Sequence, residues 1–484
     1  MKILCLNPPF LPRFSRSQRS PAVTKSGTLY YPLWLAYLTG TLEKTGYEVK
    51  LLDAPAQEIS REKVLNISRD FLPELIVIDT STPSIYSDIE VAQNLKKCLN
   101  NSFVVLVGTH VSALAEETLK IAQDIDAVVR GEYELTICEL AQQIKTNSLK
   151  PEEIKGISYR KNGVIIHNPD RPVNQNLDAL PFASKVYKEH LDIKKYFFAA
   201  SLYPEVQILT ARGCPFKCFF CLWPQAFQGR IYRKRSAQNV VDEFIYIKNE
   251  LPQVKAVVIE DDTFTVDKIR VLEICDLLIE KKVGLKWNAN VRTDLDIETM
   301  KRMKDAGCYL LIVGIENVAQ NILDNIDKGL KAANIQKFFD NAKKLGLLIH
   351  AAFMAGNPGE TENTLKENLR LAKKFLPDTI QFFPLMPYPG TKAYQWAKDN
   401  GYLKISSFRD YLTNEGLHNC IIDLPELPRE KLVKWCDKSR NSFYLSPRYI
   451  FYKIKQMLLR PHDAMRTFKA FLTFRKYILK RTFN

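Results

Sequence analysis

The stretch Ala211-Arg212-Gly213-Cys214-Pro215-Phe216-Lys217-Cys218-Phe219-Phe220-Cys221 decides the fold of this 484-residue chain. It follows an apolar predicted strand, and its three cysteines are spaced by four and three residues. Thiolates at these spacings can bind three irons of a cubane [4Fe–4S] cluster, which leaves the fourth iron without a protein ligand. A structural zinc site would need a fourth ligand, but no histidine lies nearby and the next cysteine, Cys275, is far along the chain. The sequence therefore predicts a cluster on Cys214, Cys218 and Cys221.

Strands and helical patterns alternate from this loop toward the C-terminus. The predicted strands are Glu205–Thr210, Ala256–Ile259, Lys286–Val291, Leu310–Ile315, Leu347–Met354 and Thr379–Phe383. The predicted helices lie at 236–250, 267–282, 296–306, 332–345 and 361–376. Six strand–helix units are too few for the closed eightfold barrel. We therefore expect an open, partial barrel with the same right-handed strand–helix–strand connections.

The first part of the chain predicts a second α/β unit. Its strands are Lys2–Leu6, Glu48–Leu52, Leu75–Ile78, Phe103–Val107 and Ala127–Val129. Its helices lie at 33–45, 58–70, 85–99, 113–122 and 134–146. Five strands that are each followed by a helix indicate a parallel, doubly wound sheet of the flavodoxin-like kind. Ligands of such sheets bind at the carboxyl ends of the strands, where this chain has Gly, Pro and small polar residues.

These patterns divide the chain into four parts, with the barrel at 200–400 and the doubly wound domain at 1–147. A connector at 148–199 carries a hairpin signal at Lys161-Asn162-Gly163. The region 401–484 is predicted to be helical and basic. Within it, positions 441–484 hold ten Lys/Arg and one acid, which leaves +9 of the net charge of +15.

The basic tail is also amphipathic. Ser446-Pro447 predicts a helix start, and a second helix is expected after Pro461. Apolar residues follow helical spacing: Ile450, Phe451, Ile454, Met457 and Leu458. Such a tail suits contact with an anionic membrane surface and equally suits packing on the barrel. Nucleic-acid binding is less favoured, because nothing in the chain is similar to a known RNA module.

The remaining cysteines and the N-terminus bear on the compartment. Seven cysteines are scattered, mostly in apolar stretches, which suits a reducing environment better than a disulfide framework. The N-terminal apolar run is too short for a signal peptide, and no apolar run reaches the length of a spanning helix. We expect a cytoplasmic protein. The basic tail could in addition place it in peripheral contact with the inner face of the membrane.

The cysteine loop, with aromatic Phe220 before the last cysteine, resembles the signature of the radical S-adenosylmethionine (SAM) superfamily over roughly 200–400. The resemblance implies a partial (β/α)6 barrel, in agreement with the strand count. It also implies that SAM binds the open iron and is cleaved reductively to a 5′-deoxyadenosyl radical, which abstracts a hydrogen atom. The electron would come from an external donor, a flavodoxin or ferredoxin.

Later segments are similar to family motifs at successive strand ends. They are Glu260-Asp261-Asp262-Thr263-Phe264, Asn290-Val291-Arg292, Gly314-Ile315-Glu316, Gly356-Asn357-Pro358-Gly359-Glu360 and Pro389-Gly390-Thr391. Each motif alone could be a helix cap or a turn, but their order and placement support one another. The resemblance implies SAM contacts from Phe220, Glu260, Asp261, Asp262, Asn290, Arg292 and Glu316.

The first domain resembles the cobalamin-binding domain that precedes the radical core in one subgroup. The similar segments are 30–36, 52–55, 107–111 and 130–133. The resemblance implies cobalamin contacts from Thr82, Ser84, Gly108, Thr109, His110, Gly131 and Glu132. The chain lacks the Asp-x-His-x-x-Gly motif that supplies a lower histidine ligand, so we expect cobalamin bound without one. The alternative is an empty flavodoxin-like scaffold that is kept for packing.

Together these features predict a cobalamin-dependent radical SAM enzyme that methylates an unactivated carbon or performs a radical rearrangement or cyclisation. Its substrate would be a small, possibly lipid-like molecule. A methylthiotransferase acting on RNA or protein is one alternative, but it needs a second cluster on N-terminal cysteines at strand-end loops. Cys5 is predicted within a strand, and Cys98 and Cys138 within helices. The other alternative is a non-catalytic cluster- or cobalamin-binding protein.

Overall fold

The computed structural model describes residues 1–459. The strands in this part of the chain are β1 Lys2–Asn7, β2 Glu48–Asp53, β3 Leu75–Thr80, β4 Phe103–Gly108, β5 Ala127–Val129, β6 Ile157–Lys161, β7 Val164–His167, β8 Glu205–Ile208, β9 Ala211–Arg212, β10 Arg233–Lys234, β11 Ala256–Ile259, β12 Lys286–Val291, β13 Cys308–Glu316, β14 Leu348–Ala355 and β15 Thr379–Pro384. The helices are α1 Leu33–Lys44, α2 Ala54–Gln57, α3 Arg61–Phe71, α4 Ile85–Cys98, α5 Thr109–Ala113, α6 Ala115–Ile121, α7 Glu134–Lys145, α8 Ala183–His190, α9 Leu222–Ala226, α10 Ala237–Glu250, α11 Lys268–Glu280, α12 Ile297–Asp305, α13 Gln320–Asn325, α14 Ala333–Leu345, α15 Glu362–Phe375, α16 Lys392–Asp399, α17 Arg429–Tyr444 and α18 Pro447–Leu459.

The first sheet has the strand order β2-β1-β3-β4-β5-β6-β7. Its first five strands are parallel, and the hairpin β6–β7 adds two antiparallel strands at one edge. The hairpin turns at Asn162 and Gly163, which both have positive φ, as the sequence predicted. Every residue of β3 is buried, because helices cover both faces of a doubly wound sheet. The predicted parallel, doubly wound sheet is therefore confirmed.

The second sheet contains six parallel strands in the order β8-β11-β12-β13-β14-β15. Its outer strands, β8 and β15, pair with one neighbour each and not with each other. The sheet is therefore a partial barrel with an open side between β8 and β15, as predicted. All six carboxyl ends point to one rim, which is the rim that carries the cysteine loop.

The helix predicted at 113–122 corresponds to α6, which spans Ala115–Ile121. A short helix that the sequence did not predict, α5, precedes it and meets it at Leu114. Leu114 has φ −130° and ψ 51°, so its backbone is not helical. α5 starts directly from Gly108, whose φ of +108° lets the chain leave β4 in a direction that other residues rarely adopt.

The two sheets are joined by side chains of α1 and the barrel rim. The guanidinium of Arg212 lies over the rings of Trp34 and Tyr37, at 4.7 and 5.0 Å. The same group donates to Glu134 Oε1 at 2.6 Å. These contacts fix β9, which follows the first barrel strand, against the N-terminal domain, because the carboxylate and the ring faces replace the water that the buried guanidinium loses.

The final described helix, α18, turns its polar side inward. Tyr452 Oη and Gln456 Nε2 both donate to Asp378 Oδ1 at 2.6 Å. Its apolar side chains point outward, with Phe451 71% and Leu458 77% exposed. Ser446 Oγ accepts from Tyr449 N as the predicted cap. The helix predicted after Pro461 lies outside the described residues. Among residues 1–459, no helix has the length and apolar character that a bilayer crossing requires.

Candidate active site

The three cysteines lie on the loop between β9 and α9. Cys214 is buried, while Cys218 and Cys221 are partly exposed. Gly213 has φ +78°, and a Cβ there would lie 2.1 Å from Ile231 O, so no side chain fits. Burial and the nearby Asp262 carboxylate raise the pKa of the Cys221 thiol well above its usual value.

The loop is held from within by one glutamine. Gln225 Nε2 donates to Cys221 O at 2.8 Å and to Phe219 O at 3.0 Å. Its Oε1 accepts from Lys392 N at 3.0 Å, so it also reaches the segment after β15. Gln225 therefore fixes the backbone that carries the thiols.

Asp261 holds the entrance of the loop. Its Oδ1 accepts from Thr210 N at 2.6 Å and from Ala211 N at 3.0 Å, and Thr210 Oγ1 donates to its other oxygen. The carboxylate is buried and is engaged with these groups. Asp261, a predicted SAM contact, thus positions the cysteine loop in this structure.

Arg19 joins the N-terminal domain to the end of β11, and sequence reasoning missed it. Its Nη1 donates to Glu260 Oε2 at 3.0 Å, and its Nε donates to Asp262 Oδ1 at 3.1 Å. The guanidinium also lies 4.3 Å from the centre of the Trp223 ring. Burial raises the pKa of Asp262, and Arg19 opposes that rise. The one sequence signal was the recurrence of Arg13, Arg16 and Arg19 at every third position.

An inner cavity of about 180 Å³ lies inside the barrel beside these groups. It brings together the predicted residues Glu260 and Asn290 with Gly314. Asn290 Nδ2 donates to Asp261 O at 3.0 Å, which orients its amide. The cavity wall also includes Tyr30, which sequence reasoning had not singled out as a site residue.

The other predicted SAM residues lie outside that wall. Arg292 donates to Gly329 O at 2.8 Å, and its guanidinium lies 3.6 Å from the centre of the Phe216 ring. Glu316, at φ +60°, accepts from Lys328 Nζ at 2.8 Å. That ammonium lies 5.7 Å from the centre of the Phe220 ring. These groups form a charged cluster beside the cysteine loop.

The Gly-x-Pro-Gly-Glu segment after β14 donates backbone hydrogen bonds to its own glutamate, Glu360. Glu360 accepts from the backbone of Gly356 and Asn357 and from the side chain of Asn317. Burial raises the pKa of Glu360 to about 7. Because Asn317 follows Glu316 directly, Glu360 ties the end of β13 to the end of β14.

The carboxyl edge of the first sheet carries most of the predicted cobalamin contacts, and it is lined by hydroxyl groups. Thr82 Oγ1 lies 3.1 Å from His110 Nδ1, and burial lowers the pKa of His110 to about 3. The imidazole is therefore neutral, and its ring contacts Phe408 edge-on at 4.9 Å. Ser84 Oγ donates to Asp88 Oδ2 at 2.6 Å.

The remaining predicted cobalamin residues lie close to the barrel. Glu132 accepts from Arg233 Nη1 at 2.8 Å, so it forms part of the junction between the domains. Gly131 N donates to Ser112 Oγ at 2.9 Å. Thr109 begins α5 directly after Gly108. A Cβ at Gly108 would lie 2.5 Å from Thr80 O, so this edge needs glycine.

A larger cavity, of about 770 Å³, adjoins the inner one and is mostly apolar. Its wall is formed by the loop 18–28, residues 198–200, β15, α17 and α18. The two cavities share Arg19, Tyr30, Phe198, His350 and Gln381. The larger cavity therefore leads from the exposed side of α18, past the open side of the barrel, to the inner cavity.

Family models match both halves of the chain. A B12 binding domain matches residues 19–141. The radical SAM superfamily matches residues 208–372. An uncharacterized methyltransferase of Pyrococcus horikoshii is 33% identical over 454 residues, which cover 93% of this chain and 94% of the relative. The chain belongs to the cobalamin-binding radical SAM superfamily.

Two further proteins are similar to this chain, one in sequence and one in fold. The anaerobic magnesium-protoporphyrin IX monomethyl ester cyclase of Cereibacter sphaeroides is 28% identical over 91% of this chain and 71% of its own. The radical SAM methyltransferase TsrM of Kitasatospora setae, solved with cobalamin and a [4Fe–4S] cluster, has the same fold. That match has a TM-score of 0.68 and 16% identity, and it covers 92% of this chain and 89% of TsrM.

This cobalamin-binding radical SAM enzyme is methyltransferase-like, and its cofactors are a [4Fe–4S] cluster, SAM and cobalamin. The residues present fit these groups. The thiols of Cys214, Cys218 and Cys221 share one loop at the barrel rim, as three thiolate ligands of one cluster require. The carboxyl edge of the first sheet, where ligands of doubly wound sheets bind, offers hydroxyl side chains from Thr82 and Ser84. His110 is engaged by Thr82 and Phe408, in keeping with cobalamin held without a lower histidine ligand.

The two alternatives from the sequence do not agree with these findings. Cys5 is buried within β1, Cys98 ends α4, and Cys138 lies within α7. None of the three lies on a strand-end loop, where a methylthiotransferase would carry its second cluster. The named relatives are a methyltransferase and a cyclase, which favour an enzyme over a non-catalytic binding protein.

Proposed function

We propose that this enzyme methylates a carbon atom of a small, lipid-like substrate that lies in the larger cavity. The observation that carries the proposal is the continuity of the two cavities at the barrel rim. The inner cavity, beside Glu260 and Asn290, opens into an apolar space of about 770 Å³ through five shared wall residues. A substrate in the larger cavity could therefore bring one end to the reacting centre.

The chain's own residues would hold each group in turn. We assign the cluster to Cys214, Cys218 and Cys221. When bound, the cluster supplies the electron that cleaves SAM, and cobalamin supplies a carrier for the methyl group. Glu260 and Asn290 offer a carboxylate and an amide to the amino-acid part of SAM.

Arg19 would position this carboxylate, since it contacts both Glu260 and Asp262 from the N-terminal domain. The other assignments made from the sequence remain part of the proposal. For SAM they are Phe220, Asp261, Asp262, Arg292 and Glu316. For cobalamin they are Thr82, Ser84, Gly108, Thr109, His110, Gly131 and Glu132. We also propose domain limits at 147, 199 and 400.

Product analysis tests the proposed reaction. The full-length protein is reconstituted anaerobically with iron, sulfide and hydroxocobalamin, then given SAM and a strong reductant. We expect both 5′-deoxyadenosine and S-adenosylhomocysteine, and we expect the second product to require cobalamin. S-adenosylhomocysteine that forms equally without cobalamin would contradict the methyl-transfer assignment.

Cyclisation is the second candidate, because a cyclase is similar over 91% of this chain. The two reactions differ in the fate of the SAM methyl group. With deuterated methyl-SAM and a turned-over substrate, methylation puts deuterium into the product. A cyclase forms deoxyadenosine and a product without that label.

We also propose that α18 lies on an anionic membrane surface. Ile450, Phe451, Ile454 and Leu458 are exposed on one side of the helix. Arg448 and Lys455 are exposed on the same helix. Ile450 and Ile454 also line the larger cavity, so this apolar side leads into the cavity. Apolar side chains flanked by bases suit an interfacial helix.

Sedimentation with liposomes tests the membrane proposal. The double variant Phe451→Gln/Leu458→Gln should lose binding to phosphatidylglycerol vesicles, while Ile269→Gln, an exposed residue of α11, should keep it. Equal binding by the double variant and the wild type would overturn the proposal. Dimerisation through this side of α18 would also overturn the proposal. An absence of vesicle binding by the wild type, as expected if residues 460–484 cover this side, would overturn it as well.

An external flavodoxin or ferredoxin is the proposed electron donor. Pro215 and Lys217 are exposed beside the partly exposed Cys218, so an acidic protein could approach the cluster there. Lys217→Glu should slow deoxyadenosine formation with reduced flavodoxin and leave the rate with dithionite unchanged. An equal loss with both reductants would contradict this docking site.

A further inference from the structure

One histidine in the wall of the larger cavity, His418, is held through a single ring nitrogen. Its Nε2 lies 2.9 Å from Ser20 Oγ and 3.0 Å from the carbonyl oxygen of Ser20. Both residues line the cavity, and both are partly exposed. Ser20 directly follows Arg19, which lies in the wall of both cavities. His418 is therefore held near the place where the two cavities meet.

The contact with the Ser20 carbonyl fixes the tautomer of His418. A carbonyl oxygen only accepts, so Nε2 must carry the proton that it donates there. The opposite tautomer would set the lone pair of Nε2 against that oxygen. Ser20 Oγ also lies 3.0 Å from Tyr388 Oη, so the serine hydroxyl has a second partner besides the imidazole.

The imidazole of His418 is neutral, which makes its other nitrogen an acceptor. Burial lowers the pKa of His418 to about 4, so the ring carries one proton near pH 7. With that proton on Nε2, Nδ1 has a free lone pair. Within residues 1–459, the hydrogen bonds of this side chain all involve Nε2. Nδ1 thus has no protein donor in this part of the chain.

The surroundings of His418 in the cavity are partly apolar. Val23, Phe383 and Leu417 belong to the same wall. A ligand that fills the cavity displaces water from this wall, and an acceptor that loses water without a new donor costs free energy. The ligand that fits best therefore brings a donor to Nδ1.

We propose that His418 Nδ1 accepts a hydrogen bond from a hydroxyl group of the substrate and so fixes the position of the substrate in the larger cavity. A neutral hydroxyl suits this wall better than an ammonium group, because burying a charge in apolar surroundings costs more. The inference rests on the proposed function, since the hydroxyl-bearing molecule would be its lipid-like substrate. His418 would determine specificity, because it selects a molecule that can donate at this position over one that can only accept.

Two matched fluorescent probes test the inference without SAM or a reductant. They are 11-(dansylamino)undecan-1-ol and its O-methyl ether, which has lost the hydroxyl hydrogen. The alcohol should bind the reconstituted full-length protein about tenfold more tightly, because only the alcohol can donate to the acceptor in the wall. Equal binding of the two probes, or binding of neither, would overturn the inference.

Variants of His418 and Ser20 assign the preference to Nδ1. His418→Phe keeps a ring without an acceptor, so the alcohol should bind only as well as the ether. Ser20→Ala removes Oγ but leaves the carbonyl that holds Nε2, so the preference should remain. Loss of the preference in Ser20→Ala would move the contact to the serine hydroxyl and overturn the inference. His167→Phe, on β7, is the matched control and should bind both probes as the wild type does.

Nitrogen-15 resonances of the imidazole give a readout that a merely structural role would not move. His418→Asn assigns them through the signals that disappear. At pH 7, Nε2 should have the shift of a protonated nitrogen and Nδ1 that of an unprotonated one. The Nδ1 resonance should move when the alcohol is added and stay when the ether is added. A protonated Nδ1 in the neutral ring would overturn the inference.

Formation of deoxyadenosine and S-adenosylhomocysteine by the wild type is measured separately. Absence of both products from a protein that prefers the alcohol would contradict the proposed function. Formation of both by a protein that does not distinguish the two probes would contradict only the role of His418.

Discussion

The carboxyl edges of the two parallel sheets differ in where their side chains find partners. At the barrel edge, Glu260 and Asp262 pair with Arg19, which lies 241 positions before Glu260 in the chain. At the edge of the first sheet, Thr82 pairs with His110 and Ser84 with Asp88, all within the same domain. The barrel edge is therefore completed by the N-terminal domain, whereas these two pairs at the first edge form within one domain.

This difference explains how far each edge could be predicted. The cysteine loop is local in sequence, so its spacing alone indicated the cluster and its place after a strand. The partners of Glu260 and Asp262 depend on how the two domains meet. No local pattern carries that information.

Gly213→Ala should have the largest effect on the barrel edge. The new Cβ would lie 2.1 Å from Ile231 O, and the backbone there has positive φ, so the loop must shift. We expect the purified variant to retain almost no cluster iron and to lose the cluster absorbance. Gly401→Ala is the matched control, because Gly401 also has positive φ but open space around it. Its cost should be only about 1 kcal/mol, with full iron content. Normal iron in Gly213→Ala would show that the loop tolerates a side chain.

Arg19→Gln tests whether the first domain completes the barrel edge. It leaves the Glu260 and Asp262 carboxylates without their cation, so the free energy of unfolding should fall by about 2 kcal/mol. This is less than for a fully buried pair, because the Arg19 side chain is 31% exposed. Deoxyadenosine formation should also fall while iron content stays normal. Arg13→Gln, in the same segment, is the control and should be close to wild type. Unchanged turnover in Arg19→Gln would remove Arg19 from the site.

His110→Gln tests the edge of the first sheet through the pH dependence of the free energy of unfolding. Burial lowers the pKa of folded His110 to about 3 from its usual 6.5, so the unfolded chain takes up a proton first as the pH falls. The stability from neutral His110 is present above pH 6.5 and is lost as the pH falls toward 3. At pH 5 the loss should be about 2 kcal/mol in the wild type and absent in the variant. Urea unfolding of both proteins at pH 7 and pH 5 measures this difference. Parallel pH profiles would mean that His110 is accessible to protons in the folded state.

The sequence predicted the architecture more fully than the site. Strand alternation located all eleven parallel strands of residues 1–459, because a buried parallel strand is a continuous apolar run. It missed the short helix α5, which starts directly after Gly108 and ends before Leu114. The predicted SAM contact of Asp261 stays a prediction, and the structure adds the contacts of its carboxylate with Thr210 and Ala211. A motif fixes which residues gather at a strand end, but their individual partners depend on packing.

The sequence did not predict the larger cavity either, because its wall also depends on how distant segments pack. Its wall combines the loop 18–28 with β15, α17 and α18, which lie hundreds of residues further along the chain. The amphipathic pattern of α18 was evident, but its orientation was not. Only the hydrogen bonds to Asp378 show that the polar side faces inward.

The most direct measurement of the central claim compares deoxyadenosine formation by the reconstituted wild type and by Cys218→Ala. Both proteins receive SAM and a strong reductant under anaerobic conditions, and their iron content is determined in the same samples. The account predicts deoxyadenosine from the wild type, and neither product nor cluster absorbance from the variant. Deoxyadenosine from Cys218→Ala at the wild-type rate, or none from a fully loaded wild type, would contradict it.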